Sequence, residues 1–332
     1  MLAATSVRGI MLARRPMNTL LRHLLTASLA VSAPVFAQEE KKEEPPKPDP
    51  SEALFKGADT PVDIGGFGSD QPLERADMPT RGVVVLGKET FTRTSQQHWE
   101  QFDWKPFTMS RWGRYHVRLT YTLKFAFLPT QFKIGTQTVK HPLTAAQAPK
   151  AMYLGDVYLD KAGEYGCSFY APSTAAESSL EVHELALIPA PEGPMPKQQA
   201  DGGITLPASS ATTWSEAMRY EPKPEKQCLG FWTSADDFAE WEFEVEKPGK
   251  FSVSVFYGCG GGNQGSEVEV KSGATALKFK TEDTGGFQKW REVKLGTVEI
   301  AAAGKTRLTV DPVTKVKSAV LDVQKVVLTP VK

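Results

Sequence analysis

The chain has 332 residues, room for about two domains at roughly 150 residues each. Its 39 Lys+Arg balance 39 Asp+Glu, so it lacks the basic surplus that displaces counterions from nucleic acid or an anionic membrane. After the N-terminal leader, no stretch approaches the ~20 apolar residues of a membrane helix, and no membrane span is expected.

Residues 1–37 read as a signal peptide. Arg14, Arg15 and Arg22 supply positive charge, Leu24 to Phe36 form a short apolar core, and Val35-Phe36-Ala37 is a cleavage site ahead of Gln38. The mature protein is therefore expected to be exported, to a periplasmic or extracellular location. Residues 38–81 begin QEEKKEEPPKPDP and continue with few apolar positions, which predicts a disordered tether followed by coil.

From Gly82 to residue 190 the pattern is strand after strand, including Val83–Leu86, Tyr115–Leu123, Gln131–Ile134, Val157–Leu159, Glu164–Tyr170 and Leu180–Leu187. Residues 191–202 lie in a Pro/Gly/Gln-rich stretch and read as a linker. A second run fills 203–332. In it Trp241, Phe243 and Val245 alternate with glutamates, and after the turn signal Lys247-Pro248-Gly249 the residues Phe251, Val253, Val255 and Tyr257 share a face against Ser252 and Ser254. No long helical period is present. The fold class expected is all-β, as two tandem antiparallel β-sandwich domains.

The two runs repeat one another. Leu154-Gly155-Asp156-Val157 matches Leu295-Gly296-Thr297-Val298 at an offset of 141, and Ala162-Gly163, Leu180, Val182, Leu187 and Pro189 recur at the same offset. Upstream, Gly113 matches Gly249 at 136, Asp103-Trp104 matches Glu240-Trp241 at 137, and Gly82-Val83 is matched with Gly203-Ile204. The growth from 136 to 141 places five extra residues in the second copy, between the positions of Tyr121 and Leu154.

Three cysteines remain: Cys167, Cys228 and Cys259. In an oxidising compartment Cys228 with Cys259 is the favoured disulfide, since both sit at strand ends or loops of one module; the alternative leaves all three reduced and buried. Gly260-x-Gly262-x-x-Gly265 formally matches a dinucleotide fingerprint, but the strand-like Ser266-Glu-Val-Glu-Val270 follows it, so it is an inter-strand loop. There is no His-Glu-x-x-His and no Gly-x-Ser-x-Gly, and the expectation is that the chain is not an enzyme.

The ordered set Arg219-Tyr220-Glu221-Pro222, Gly230-Phe231-Trp232, Asp236-Asp237, Trp241, Pro248-Gly249, Cys259-Gly260, Gly265-Ser266, Asp283 to Gln288, Leu295-Gly296 and Asp322 resembles a known module type. These are the galactose-binding-like, family 6-type carbohydrate-binding β-sandwiches (jelly rolls) appended to secreted bacterial sulfatases and glycosidases. The resemblance covers about 203–331, and 82–190 joins it as a diverged copy. It implies a bacterial, non-catalytic protein that binds a polysaccharide or glycan through loops of the second sandwich. The alternative is an envelope protein whose sandwiches dock other proteins. An envelope protein or a secreted enzyme is the other partner to consider.

Loops at one end of a sandwich converge. On that ground Trp232, Asp236, Tyr257, Asn263, Phe287 and Trp290 are the candidate ligand-binding residues, aromatics to stack on a sugar and polar groups to hold its hydroxyls. The competing reading makes Trp232 and Trp290 core or loop anchors and Asn263 a turn residue. The resemblance also implies a structural calcium at Asp322 together with Glu216; the alternative is Asp322 accepting ordinary hydrogen bonds. No other cofactor is expected.

Overall fold

The computed structural model describes Arg75, residues 77–173 and residues 179–331. Residues 1–37, expected to be a signal peptide, and nearly all of 38–81, expected to be tether and coil, lie outside the described residues. Among the described residues there is no α-helix, and no helix is long and apolar enough to cross a membrane.

The first half contains β1 (Val84–Gly87), β2 (Phe91–Ser95), β3 (Trp99–Trp104), β4 (Phe107–Met109), β5 (Gly113–Ile134), β6 (Gln137–Leu159), β7 (Gly163–Tyr165), β8 (Cys167–Pro172) and β9 (Leu180–Pro189). The second contains β10 (Ile204–Pro207), β11 (Ala211–Trp214), β12 (Arg219–Glu221), β13 (Cys228–Gly230), β14 (Phe238–Val245), β15 (Gly249–Cys259), β16 (Glu267–Ser272), β17 (Thr275–Lys280), β18 (Gly286–Ile300), β19 (Gly304–Pro312) and β20 (Asp322–Pro330). All strand pairs in the sheets are antiparallel.

The second half is two stacked sheets. One runs β12-β13-β20-β15-β18 with β10 also on β20; the other runs β11-β14-β19-β16-β17. Trp241, Phe243, Val253, Val255, Val310, Val326 and Leu328 fill the space between them at 1 % exposure or less. Strict alternation produces this: β14 reads half-buried, buried, half-buried along its whole length, the pattern of a strand with one face on a core.

The first half follows the same plan with two strands fused. The N-terminal part of β5 pairs with β9 and its C-terminal part with β8, while β6 accompanies it throughout. The corresponding chain in the second half is broken into β15 and β16, then β17 and β18. The hairpin turns are at Gly135 (φ +55°) and Gly273 (φ +58°), an offset of 138. Of the five extra residues, two therefore lie in the loop before β16 and three in the loop before β18. A bulge in the β5–β6 pairing, where Val117 meets Gly155 (φ +144°), recurs where Val253 meets Gly296 (φ +150°). The opening match shifts by one residue: Gly82 (φ +76°) corresponds to Gly202 (φ +84°), each two residues ahead of its first strand.

A larger difference lies between β11 and β14. Three residues, 96–98, join β2 to β3, whereas residues 215–237 join β11 to β14 and carry β12 and β13. This insertion contacts the first half. Arg111 donates from Nε to Ser215 O (3.2 Å) and from Nη2 to Thr213 O (3.1 Å), and Ser110 Oγ donates to Glu216 O (2.5 Å). The central carbon of the Arg219 guanidinium sits over both Trp112 and Phe231, 3.5 and 3.4 Å from the ring centroids, and the two rings meet edge to face. Tyr153, Ala186, Ile188 and Trp214 form a small apolar core across the seam.

Residues 191–202, read as a linker, lie along the second half: Glu244 N donates to Pro196 O (2.9 Å) and Gln198 N to Glu244 O (3.0 Å). Arg75, in the stretch read as coil, donates from Nη2 to both carboxylate oxygens of Glu240 in the second half at 3.0 Å each.

Candidate functional site

The structure corrects the expected aromatic platform at the loop end. Trp232 is fully buried and donates from Nε1 to Asp237 O at 3.0 Å. Tyr257 is 1 % exposed, because parity along β15 turns it inward with Val255; its hydroxyl accepts from Glu282 N at 3.1 Å, and its ring meets Phe279 at 5.4 Å. Asn263 is buried as well. Its Nδ2 donates to Gly260 O (2.8 Å), and its Oδ1 accepts from Ser318 Oγ (2.8 Å) and Ala319 N (3.0 Å), so it pins two loops together.

Asp236 is exposed in a turn, where its N–H donates to Ser234 Oγ at 3.2 Å. The long-range contact belongs to its neighbour Asp237, which is 1 % exposed and accepts from Arg81 Nε at 2.8 Å. Phe287 and Trp290 are half-buried on β18. The six residues do not form one surface.

The expected disulfide is also corrected: Cys167, Cys228 and Cys259 are all free thiols in the structure. β20 lies between β13 and β15, so Cys228 and Cys259 stand two strand spacings apart, about 9.5 Å, beyond the ~7 Å Cα limit for bridging. Cys259 Sγ points instead to Val320 O at 3.7 Å.

The expected calcium pair is not formed either. Glu216 is 66 % exposed at the seam, beside Arg81 at 3.6 Å. Asp322 is 6 % exposed on β20, near Cys228 Sγ (3.7 Å), and its Oδ2 accepts from Gln288 Nε2 (3.0 Å). Glu221, not Glu216, is the acid that joins it, in a cluster with Cys228. Burial, reinforced by the charge of Glu221, pushes the Asp322 carboxyl up to about 7, and burial likewise raises the Cys228 thiol. Glu221 stood in the sequence within the ordered set Arg219-Tyr220-Glu221-Pro222, but nothing linear joined it to a residue a hundred positions away.

The solvent face of the sheet containing β15 carries a different polar–aromatic group. Ser252, Ser254 and Phe256 alternate outward, each half-buried, whereas Gly258 beyond them is buried under the backbone of β18. In register, Phe256 lies between Lys325 on β20 and Glu292 on β18. The Lys325 ammonium sits 4.6 Å from the Phe256 ring centroid, and Ser254 Oγ donates to Glu292 Oε1 at 2.8 Å. A flat ring is thus flanked by an ammonium, a carboxylate and a hydroxyl on an open sheet. The sequence signal for it was an aromatic at a position where period-two alternation predicts a polar residue.

Residues 210–332 match a family model described as a domain of unknown function, DUF5077. No curated protein matches the sequence. Among solved structures, the chain is similar to a xanthan lyase from Paenibacillus: identity 13 %, TM-score 0.30, covering 77 % of this chain and 26 % of that one. It thus spans about a quarter of the lyase's length. The C-terminal family 6 carbohydrate-binding module of the laminarinase LamC from Zobellia galactanivorans is 17 % identical, with TM-score 0.31, covering 38 % of this chain and 98 % of that one. The tandem family 22 carbohydrate-binding modules of Xyn10C from Paenibacillus barcinonensis are 9 % identical, with TM-score 0.30, covering 78 % of this chain and 100 % of that one.

Proposed function

We propose that this chain is an exported, non-catalytic glycan-binding protein whose second half holds the sugar on the solvent face of the sheet around β15, rather than in the loops at its end. The observation that carries the reading is Phe256, half-buried on that face between Lys325 and Glu292. The negative face of an aromatic ring attracts positively polarised groups. It takes the Lys325 ammonium in this structure, and the C–H edge of a pyranose has the same polarity. Glu292, Lys325 and Ser254 then hold hydroxyls. Backbone pairing on both sides of β15 keeps the group rigid, so little ordering entropy opposes binding.

Affinity electrophoresis against a panel of neutral and acidic polysaccharides tests the reading. Wild-type protein is retarded by at least one polymer, and Phe256→Ala and Glu292→Gln each weaken that retardation. Retardation unaltered in both variants, or none with any polymer, rejects it.

A second reading has its own observation. Phe125 and Phe127, on the long β5 hairpin of the first half, are 40 % and 63 % exposed. Exposed apolar groups of this size mark contact surfaces, and they favour docking onto an envelope protein. Loss of a stoichiometric partner in pull-downs with Phe127→Ser, without loss of sugar binding, would assign that role to the first half.

A further inference from the structure

Three adjacent strands bring three ligating side chains to one point. Glu221 ends β12, Cys228 begins β13 directly opposite it, and Asp322 begins β20, the next strand over. One oxygen from each acid and the thiol sulfur all lie within 4.8 Å of one another, and the residues are 5 %, 0 % and 6 % exposed. Cys228 Sγ is 3.7 Å from Asp322 Oδ2. Two ligands on one tetrahedral zinc, with bonds of about 2.3 Å to sulfur and about 2.1 Å to oxygen, stand about 3.6 Å apart. The pair is already at that spacing.

Charge points the same way. Two acids and a thiol are buried together, and Lys226 forms an ion pair with Glu221. Two carboxylates, one thiolate, one divalent cation and the Lys226 ammonium sum to zero, so the cation would leave no uncompensated buried charge. We propose that Glu221, Cys228 and Asp322 bind a single divalent cation of the zinc type.

Calcium does not suit the site, since it takes six to eight oxygens and the cluster offers two acids and a sulfur. Thiolate is a soft ligand that selects zinc over the hard cations. On binding, the Cys228 thiol releases its proton to solvent as the sulfur–metal bond forms, and nothing is oxidised or reduced. Gln288 is a positioning residue: its amide donates to Asp322 Oδ2 at 3.0 Å and orients the carboxylate. The inference is independent of the glycan reading.

Titration of the full chain with Co2+, followed by absorbance, tests it. A near-ultraviolet sulfur-to-cobalt charge-transfer band should saturate at one equivalent and be bleached by Zn2+. Cys228→Ser should abolish the band, and Gln288→Ala should keep it while weakening affinity by about 10- to 100-fold. If Cys228→Ser does not fold, the wild-type chain decides the matter: Zn2+ must slow alkylation of Cys228, read by mass spectrometry, relative to Cys167 and Cys259. Absence of both the band and the protection overturns the proposal, as does a band that survives in folded Cys228→Ser.

Discussion

Arg81 Nε donates to Asp237 Oδ1 at 2.8 Å, joining a residue just ahead of β1 to one that is 1 % exposed in the second half. The other oxygen, Asp237 Oδ2, is buried without a partner. The pair is therefore a buried charge with a single countercharge, supplied across the seam. Removing the countercharge strands the carboxylate. Because the Arg81 side chain is itself 32 % exposed, part of the loss is screened by water. Arg81→Leu is expected to cost about 2–4 kcal/mol in urea unfolding, and Asp237→Asn clearly less. A loss below about 0.5 kcal/mol for Arg81→Leu would show that the seam contributes nothing through this pair.

Glu192 makes stability pH-dependent. Its Oε1 accepts from Arg114 N at 3.2 Å, its Oε2 is buried without a partner, and the residue is 6 % exposed. Burial pushes its carboxyl from 4.5 up to about 7, against the opposing pull of Arg114 and Arg111. With the folded value above the unfolded one, the folded state holds more protons between pH 4.5 and 7. Stability from this group is complete below the lower value and is lost as pH rises through the upper one. The full swing is on the order of 3 kcal/mol. Asp322, raised in the same direction to about 7, adds a slope of the same sign. Glu192→Gln keeps the acceptor for Arg114 N and should flatten the fall in Tm across this window, leaving the Asp322 share. An unaltered pH profile in the variant would locate the dependence elsewhere.

The sandwich plan was legible because alternation and turn chemistry are local. Trp241, Phe243 and Val245 occupy the core face that period two predicts, and the repeated glycines sit at repeated backbone conformations. The candidate site was much less so. Loop aromatics carry no periodicity to say which way they face, and Trp232 turned inward because its indole N–H finds Asp237 O. The Glu221, Cys228 and Asp322 group depends on strand order, with β20 crossing to lie beside β13. No linear spacing encodes that.

Trp232 should behave as core. Trp232→Ala is expected to destabilise the chain by about 3–5 kcal/mol, the usual cost of removing a large buried aromatic. In protein that remains folded, polysaccharide retardation should match wild type, whereas Phe256→Ala should lower retardation with a Tm change of a few degrees at most. The opposite pattern, binding lost on Trp232→Ala in folded protein, would return the site to the loop end.

All three thiols should titrate. With Cys228 and Cys259 two strands apart, denatured protein purified without reductant should react with three equivalents of a thiol reagent, and reductant should leave Tm unchanged. One equivalent would mean that a disulfide forms despite this register.

The paired bulges test whether the two halves share one design. Gly155 and Gly296 hold φ near +144° and +150° at the point where β5 slips against β6 and β15 against β18. A side chain at such a φ is strained by about 1–3 kcal/mol. At Gly296 a Cβ would also come within 3.2 Å of Leu277 Cδ2, which can yield because it is the end of a flexible side chain. Gly155→Ala and Gly296→Ala should therefore each destabilise by about 1–3 kcal/mol. The two bulges belong to different hydrophobic cores, so the double variant should show the sum within about 0.5 kcal/mol. Urea denaturation of the four proteins measures all three quantities. A harmless alanine at either position would mean that its bulge is tolerated rather than required, and strong non-additivity would mean that the halves do not unfold around separate cores.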